Sequence, residues 1–150
     1  MDVLVHPKFY AENREEAIKK LVDYVCEKGY VKDTYLKATL EREKVFPTGL
    51  VLAGKHHVAI PHCDVEHVLK PVCAVGVLDK PVEFRVMGDP KQKVDVSVVF
   101  LIGVAKKEEV VKTICKMAEL FQKEGAVESI VTAKSDREVA KILKSELSTD

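Results

Sequence analysis

The chain has 150 residues, with 24 basic and 24 acidic side chains and a formal charge of zero. With 47% hydrophobic and 32% charged residues, it falls outside the disordered, collagen-like and highly charged classes. The zero balance argues against a partner held by bulk positive charge, duplex DNA included. The length is that of one domain, residues 1–150. The start, Met1-Asp2-Val3-Leu4-Val5-His6-Pro7, lacks the charged head and long apolar run of a signal peptide. No stretch reaches the 18 apolar residues of a membrane span. Cys26, Cys63, Cys73 and Cys115 contain no C-x-x-C pair, so reduced thiols in a cytoplasmic protein are expected.

The first predicted element is a helix opened by the capping-box pair Asn13 and Glu16. Ala17, Ile18, Leu21, Val22 and Val25 lie on one face, and Gly29 ends it. A second helix is expected after Asp33, through Leu36, Leu40 and Arg42, stopping before Pro47. Residues 50–53 and 58–60 read as short strands around Gly54, and 72–78 as a strong strand. Residues 81–86 are expected to add an edge strand, and 94–104, apolar on both faces, a buried one. The period then becomes helical over 108–122, with Val110, Ile114, Met117, Ala118 and Phe121 as the stripe. Residues 127–133 suit either a short helix or a strand. Ser135 and Glu138 form a second capping box, opening a last helix with Val139, Ala140, Ile142, Leu143 and Leu147. This order predicts one α/β domain, a mixed β-sheet flanked by helices on both faces.

Chemistry concentrates in residues 48–71, which hold His56, His57, His62 and His67 together with Cys63, Asp64 and Glu66. His62 follows the apolar run Val58-Ala59-Ile60-Pro61, and strand ends of α/β sheets are where sites collect. A histidine there can move protons, bind a metal or carry a group covalently. A phosphoryl carrier needs one bare ring nitrogen, a proton fixed on the other, and a nearby donor for the phosphoryl oxygens. Arg42, one of four arginines, lies just before the Pro47-Thr48-Gly49 turn and is the candidate donor; it is also a favourable helix-end cation. A metal site of His62, Asp64, His67 and Cys63 matches no standard ligand spacing. A Cys63 nucleophile paired with His62 is disfavoured, because sequence neighbours rarely aim at one point. His56 and His57 point to opposite sides if extended. Lys106-Lys107-Glu108-Glu109, where the buried strand gives way to a helix, is a candidate second wall.

Three runs carry a family resemblance: Leu40-Glu41-Arg42-Glu43, Phe46-Pro47-Thr48-Gly49-Leu50 and Val58-Ala59-Ile60-Pro61-His62. In this order the chain resembles the enzyme IIA domain of the fructose and mannitol type in the sugar phosphotransferase system (PTS). The stretch from Cys63 to Pro71, with Pro81-Val82-Glu83-Phe84 and Met87-Gly88, most resembles the galactitol branch. The resemblance implies the family's fold, a mixed sheet between helices. It implies that His62 accepts a phosphoryl group from phospho-HPr and passes it to a cysteine of a cognate enzyme IIB. It implies that Arg42 helps hold that group. The link to the membrane enzyme IIC is indirect, and no cofactor, metal or nucleic acid is implied. Mannitol-type members carry a second active-site histidine after the long strand; here Glu109 or a neighbour stands in that place. His67 and Glu109 are therefore the candidate supporting residues. A regulatory IIA-like phosphoprotein and a histidine-dependent hydrolase are the alternatives.

Overall fold

The computed structural model describes residues 1–147, with side chains through Ser145. The expected contribution of the Leu147 side chain lies outside the described residues. The chain enters with strand β1 (Asp2–Phe9), for which no element was predicted. Val3 and Phe9 are its buried residues, and Pro7 and Lys8 interrupt any clean alternation. It is held by parallel pairing, not by its own pattern.

Helix α1 (Arg14–Glu27) begins as expected, with the Asn13 side chain accepting from the Glu16 amide at 2.9 Å. All five predicted core residues are buried, and Gly29 takes the left-handed φ of +82° beyond its end. Helix α2 (Tyr35–Val45) stops ahead of Pro47. Strands β2 (Gly49–Leu50) and β3 (His57–Ala59) form an antiparallel pair. The strand expected over 50–53 shrinks to these two residues because Val51 to His56 turn outward as a loop. A 3-10 turn spans Val65–His67.

Strand β4 (Val72–Val86) runs unbroken through the segment expected as a separate edge strand, and β5 (Asp89–Gly103) returns antiparallel to it. Residues 81–86 are thus a continuation of β4 and not a separate strand; β5 pairs with them on one side, while β1 pairs only as far as Leu78. Helices α3 (Val110–Gln122), α4 (Ala126–Thr132) and α5 (Asp136–Leu147) follow. The ambiguous 127–133 segment is thus helical: Val127 and Ile130, three apart, are its buried pair. Glu138 donates its amide to Ser135 Oγ at 3.2 Å and accepts from the Lys134 amide at 3.1 Å.

The sheet is mixed. β1 and β4 are parallel, β4 and β5 antiparallel, and the β2–β3 pair bridges Val86 at the end of β4 to the middle of β5. Helices cover both faces. α1 and α2 pack Ile18, Leu21 and Tyr35 against Ala74, Val99 and Leu101. α3, α4 and α5 pack Met117, Ile130 and Leu143 against Val75, Val98 and Phe100. Along β5 the side facing α1 changes from Val94 and Val96 to Val99 and Leu101. The register shifts there, between His57 and Val58 on the neighbouring strand. This double-sided burial explains why 94–104 is apolar on both faces.

Candidate functional site

The segment after β3 is held from two sides. The Ile60 amide donates to the Thr48 carbonyl at 3.3 Å, and the Ile102 amide donates to the Pro61 carbonyl at 3.0 Å. His62 therefore leaves a fixed strand end, with its residue only 8% exposed. Its Nδ1 lies 2.8 Å from the Ile60 carbonyl. A carbonyl only accepts, so Nδ1 carries the proton and donates it. Nε2 is left bare, with no hydrogen-bond partner among the described residues. Burial pushes the imidazole pKa below the usual histidine value. The Ile60 hydrogen bond works against that shift, the Arg42 cation adds to it, and Asp64 opposes it weakly. The hydrogen bond to Ile60 thus fixes the tautomer, and the lowered pKa favours the neutral ring.

Arg42 sits in the last turn of α2. Its guanidinium carbon is 5.3 Å from the centre of the Phe46 ring, within cation–π range. Its Nε is buried without a partner. The neighbouring Glu43 is turned inward and only 3% exposed. It accepts from the Thr48 amide at 2.8 Å and from the Thr48 hydroxyl at 2.9 Å. Gly49 follows because a β-carbon there would lie 2.5 Å from the Arg85 carbonyl oxygen. The Pro-Thr-Gly turn is thus pinned by a carboxylate and packed against β4.

Arg42, Thr48 and His62 line one cavity of about 510 Å³, walled by Val45, Phe46, Pro47, Met87 and Ile114. No carboxylate lines it. A larger cavity of about 640 Å³ lies between the 50–56 loop and the α3–α4 junction. Its imidazole, His56, is engaged at both ring nitrogens, by Ser97 Oγ at 3.3 Å and Glu128 Oε2 at 3.0 Å. The smaller cavity, with a bare nitrogen beside a guanidinium, is the chemically competent one.

The other candidates lie elsewhere. His67 Nδ1 bonds Thr34 Oγ1 at 2.8 Å, and its Nε2 is 3.6 Å from Glu66; it does not line the His62 cavity. Glu109 is exposed and lines a separate cavity with Lys112 and Lys116. Ile114, one turn further along α3, reaches the His62 cavity instead. Burial pushes the Cys63 thiol up to about 11, so it is not a thiolate at neutral pH. Among the described residues no three His, Cys, Asp or Glu side chains converge to hold a metal. His57 Nδ1 accepts from the Leu52 amide at 3.0 Å, which stiffens the loop and not the site. Glu43, Phe46 and Ile114 were missed as site residues. Only Glu43 left a signal, a charged residue on the same helical stripe as Tyr35 and Thr39.

Residues 2–146 match the family model for the phosphoenolpyruvate-dependent sugar phosphotransferase system, EIIA 2. The chain belongs to that family. Over 140 residues it is 34% identical to the mannitol-specific phosphotransferase enzyme IIA component of Halalkalibacterium halodurans, covering 91% of this chain and 88% of the relative. Over 120 residues it is 29% identical to the galactitol-specific EIIA component of Escherichia coli K12, covering 80% and 79%. A solved complex of enzyme IIAMTL with phosphorylated enzyme IIBMTL from Escherichia coli superposes with a TM-score of 0.75, at 26% identity over 94% of each chain. This EIIA chain is a phosphotransferase component of a PTS, a family that works through a phosphohistidine.

Proposed function

We propose that His62 is the histidine that carries the phosphoryl group, taking it from phospho-HPr and passing it to a cysteine of a cognate enzyme IIB. The bare Nε2 beside Arg42 carries this reading. In the first step the Nε2 lone pair forms a bond to phosphorus while the bond from phosphorus to the donor breaks. Nδ1 keeps its proton throughout, held by the Ile60 carbonyl. In the second step the acceptor sulfur attacks phosphorus and the Nε2–phosphorus bond breaks. Arg42 neutralises the phosphoryl oxygens, and the apolar walls exclude water that would hydrolyse the phosphoramidate. His67 and Glu109 enter at one remove. His67 braces the 64–70 loop through Thr34, Glu109 borders a separate cavity, and neither lines the His62 cavity.

The relatives support a galactitol- or mannitol-related polyol as cargo, selected by the membrane enzyme IIC through enzyme IIB. Among the described residues no helix is long and apolar enough to cross a membrane, which fits a single IIA domain over 1–150 acting in the cytoplasm. Incubation with phospho-HPr should place one phosphate on each wild-type chain and none on His62→Ala. An undiminished yield in the variant would sink the assignment. Transfer onward to a galactitol-type IIB distinguishes a transport component from a regulatory phosphoprotein, which would hold the phosphate without passing it on.

A further inference from the structure

Arg42 and Glu43 are consecutive, yet they face different ways. Arg42 lines the cavity, while Glu43 is buried and gives both carboxylate oxygens to Thr48, Oε2 to the amide and Oε1 to the hydroxyl. Thr48 then accepts from the Ile60 amide through its carbonyl, and Ile60 accepts from His62 Nδ1 through its own. One chain of hydrogen bonds thus runs from the end of α2 through the turn to the imidazole. It has a clear mechanical consequence. The helix end that bears the cation is fastened to the strand end that bears the nucleophile.

Toward its start α2 is anchored by Tyr35, which bonds the Ile102 carbonyl, and by Leu36, Ala38 and Leu40 packed against the core; its last turn is anchored differently. Its buried residues are Tyr35, Thr39 and Glu43, so its last turn has no buried apolar side chain to lock it by packing. The Arg42 guanidinium lies against the Phe46 ring, and its buried Nε has no hydrogen-bond partner among the described residues. A cation held this loosely is placed by its backbone. That backbone is anchored at the next residue.

We propose that Glu43 is a positioning residue for phosphoryl transfer, holding Arg42 at working distance from the His62 nucleophile through its two hydrogen bonds to Thr48. This rests on the reading of His62 as the phosphoryl carrier. Glu43 touches no reacting atom. The hydrogen bonds do the work, so a side chain that keeps them should keep much of the effect. Glutamine can do so: its amide oxygen accepts from the Thr48 N–H and its NH2 donates to the Thr48 hydroxyl.

The test is a double-mutant cycle on single-turnover transfer from phospho-HPr, using full-length Glu43→Leu, Arg42→Ala and the pair, with thermal melts as the folding control. Glu43→Leu should slow transfer roughly tenfold to a hundredfold, the scale of a displacement of about 1 Å at a reacting centre, with the loss in the rate constant and not in half-saturation by HPr. In the Arg42→Ala background the same change should cost almost nothing more. Glu43→Gln should recover most of the rate lost by Glu43→Leu, although both lack the charge. Additive losses, or a folded Glu43→Leu with wild-type rate, would overturn the proposal. Where Glu43→Leu does not fold, Thr48→Val, which removes only the hydroxyl, replaces it in the cycle under the same criteria. Wild-type chain that takes no phosphate condemns the His62 reading; wild-type chain that does, with an additive cycle, condemns only the role of Glu43.

Discussion

At the scale of single residues, His62 combines two demands that usually conflict. It must be buried enough to stay dry and open enough to meet a partner. Burial lowers its pKa first, and Arg42 lowers it further. The sign of the pH dependence follows. An unperturbed histidine titrates near 6.5. Between that value and the lower folded one, the unfolded chain binds a proton that the native chain does not. The stability contribution is therefore complete above about pH 6.5 and is lost as pH falls through the folded pKa. Phosphate acceptance depends on the folded pKa alone, since only the neutral native ring has a free Nε2. The acid limb of the rate profile should lie below the usual histidine range. In Arg42→Ala, loss of the cation and of its cover moves the His62 pKa upward. The acid limb should rise with it, and transfer should slow by roughly a hundredfold, the scale of losing one transition-state donor. An NMR titration of His62 beside the pH–rate profile measures both. A wild-type limb at or above 6.5, or an unmoved limb in the variant, contradicts the assignment.

At the scale of elements, α2 is the unusual one. Besides apolar packing by Leu36 and Leu40, it docks through polar groups: Tyr35 donates to the Ile102 carbonyl at 2.5 Å, and Glu43 accepts from Thr48. Ile102 also donates to Pro61, so Tyr35 grips the strand residue beside the His62 segment. Tyr35→Phe keeps the packing and removes the donor. It should cost about 1–3 kcal/mol, several degrees of Tm at roughly 2–4 °C per kcal/mol, and a calorimetric melt equal to wild type would refute this. The polar character of α2 also marks where sequence reading stopped. α1 and α3 announced themselves by apolar stripes, and the Ala59-Ile60-Pro61-His62 strand end pointed to His62. Arg42 and the Pro47-Thr48-Gly49 turn were legible as its neighbours. Glu43 was not, because a charged residue on a helix reads as solvated until its partner is known. β1 escaped because its pattern is weak and its order comes from pairing with β4. The Ile114 contact escaped because a helical stripe shows that a residue is apolar, not whether it faces the core or a cavity.

At the scale of the whole molecule, a zero net charge leaves partner recognition to local surface. Around the His62 cavity that surface is apolar: Val45 is 62% exposed and Phe46 60%, with Met87 beside them at the opening. Single exposed apolar residues are ordinary, but these three border one nucleophile. They fit a transient interface, with a few apolar contacts that exclude water and little long-range steering. Phosphorylation adds roughly one to two negative charges to a balanced chain, at the bottom of this rim. On the proposed reading of His62, the loaded and unloaded forms differ in charge at this rim. Val45→Asp tests the rim, read through KM for the partner. The side chain points to solvent, so stability should stay within about 0.5 kcal/mol. Losing a Val contact of about 1.5 kcal/mol should raise the KM for HPr roughly tenfold. Added repulsion between Asp and the incoming phosphoryl group should raise it further at low salt than at high salt. Unchanged KM at both salt concentrations would mean that the partners approach His62 from another side.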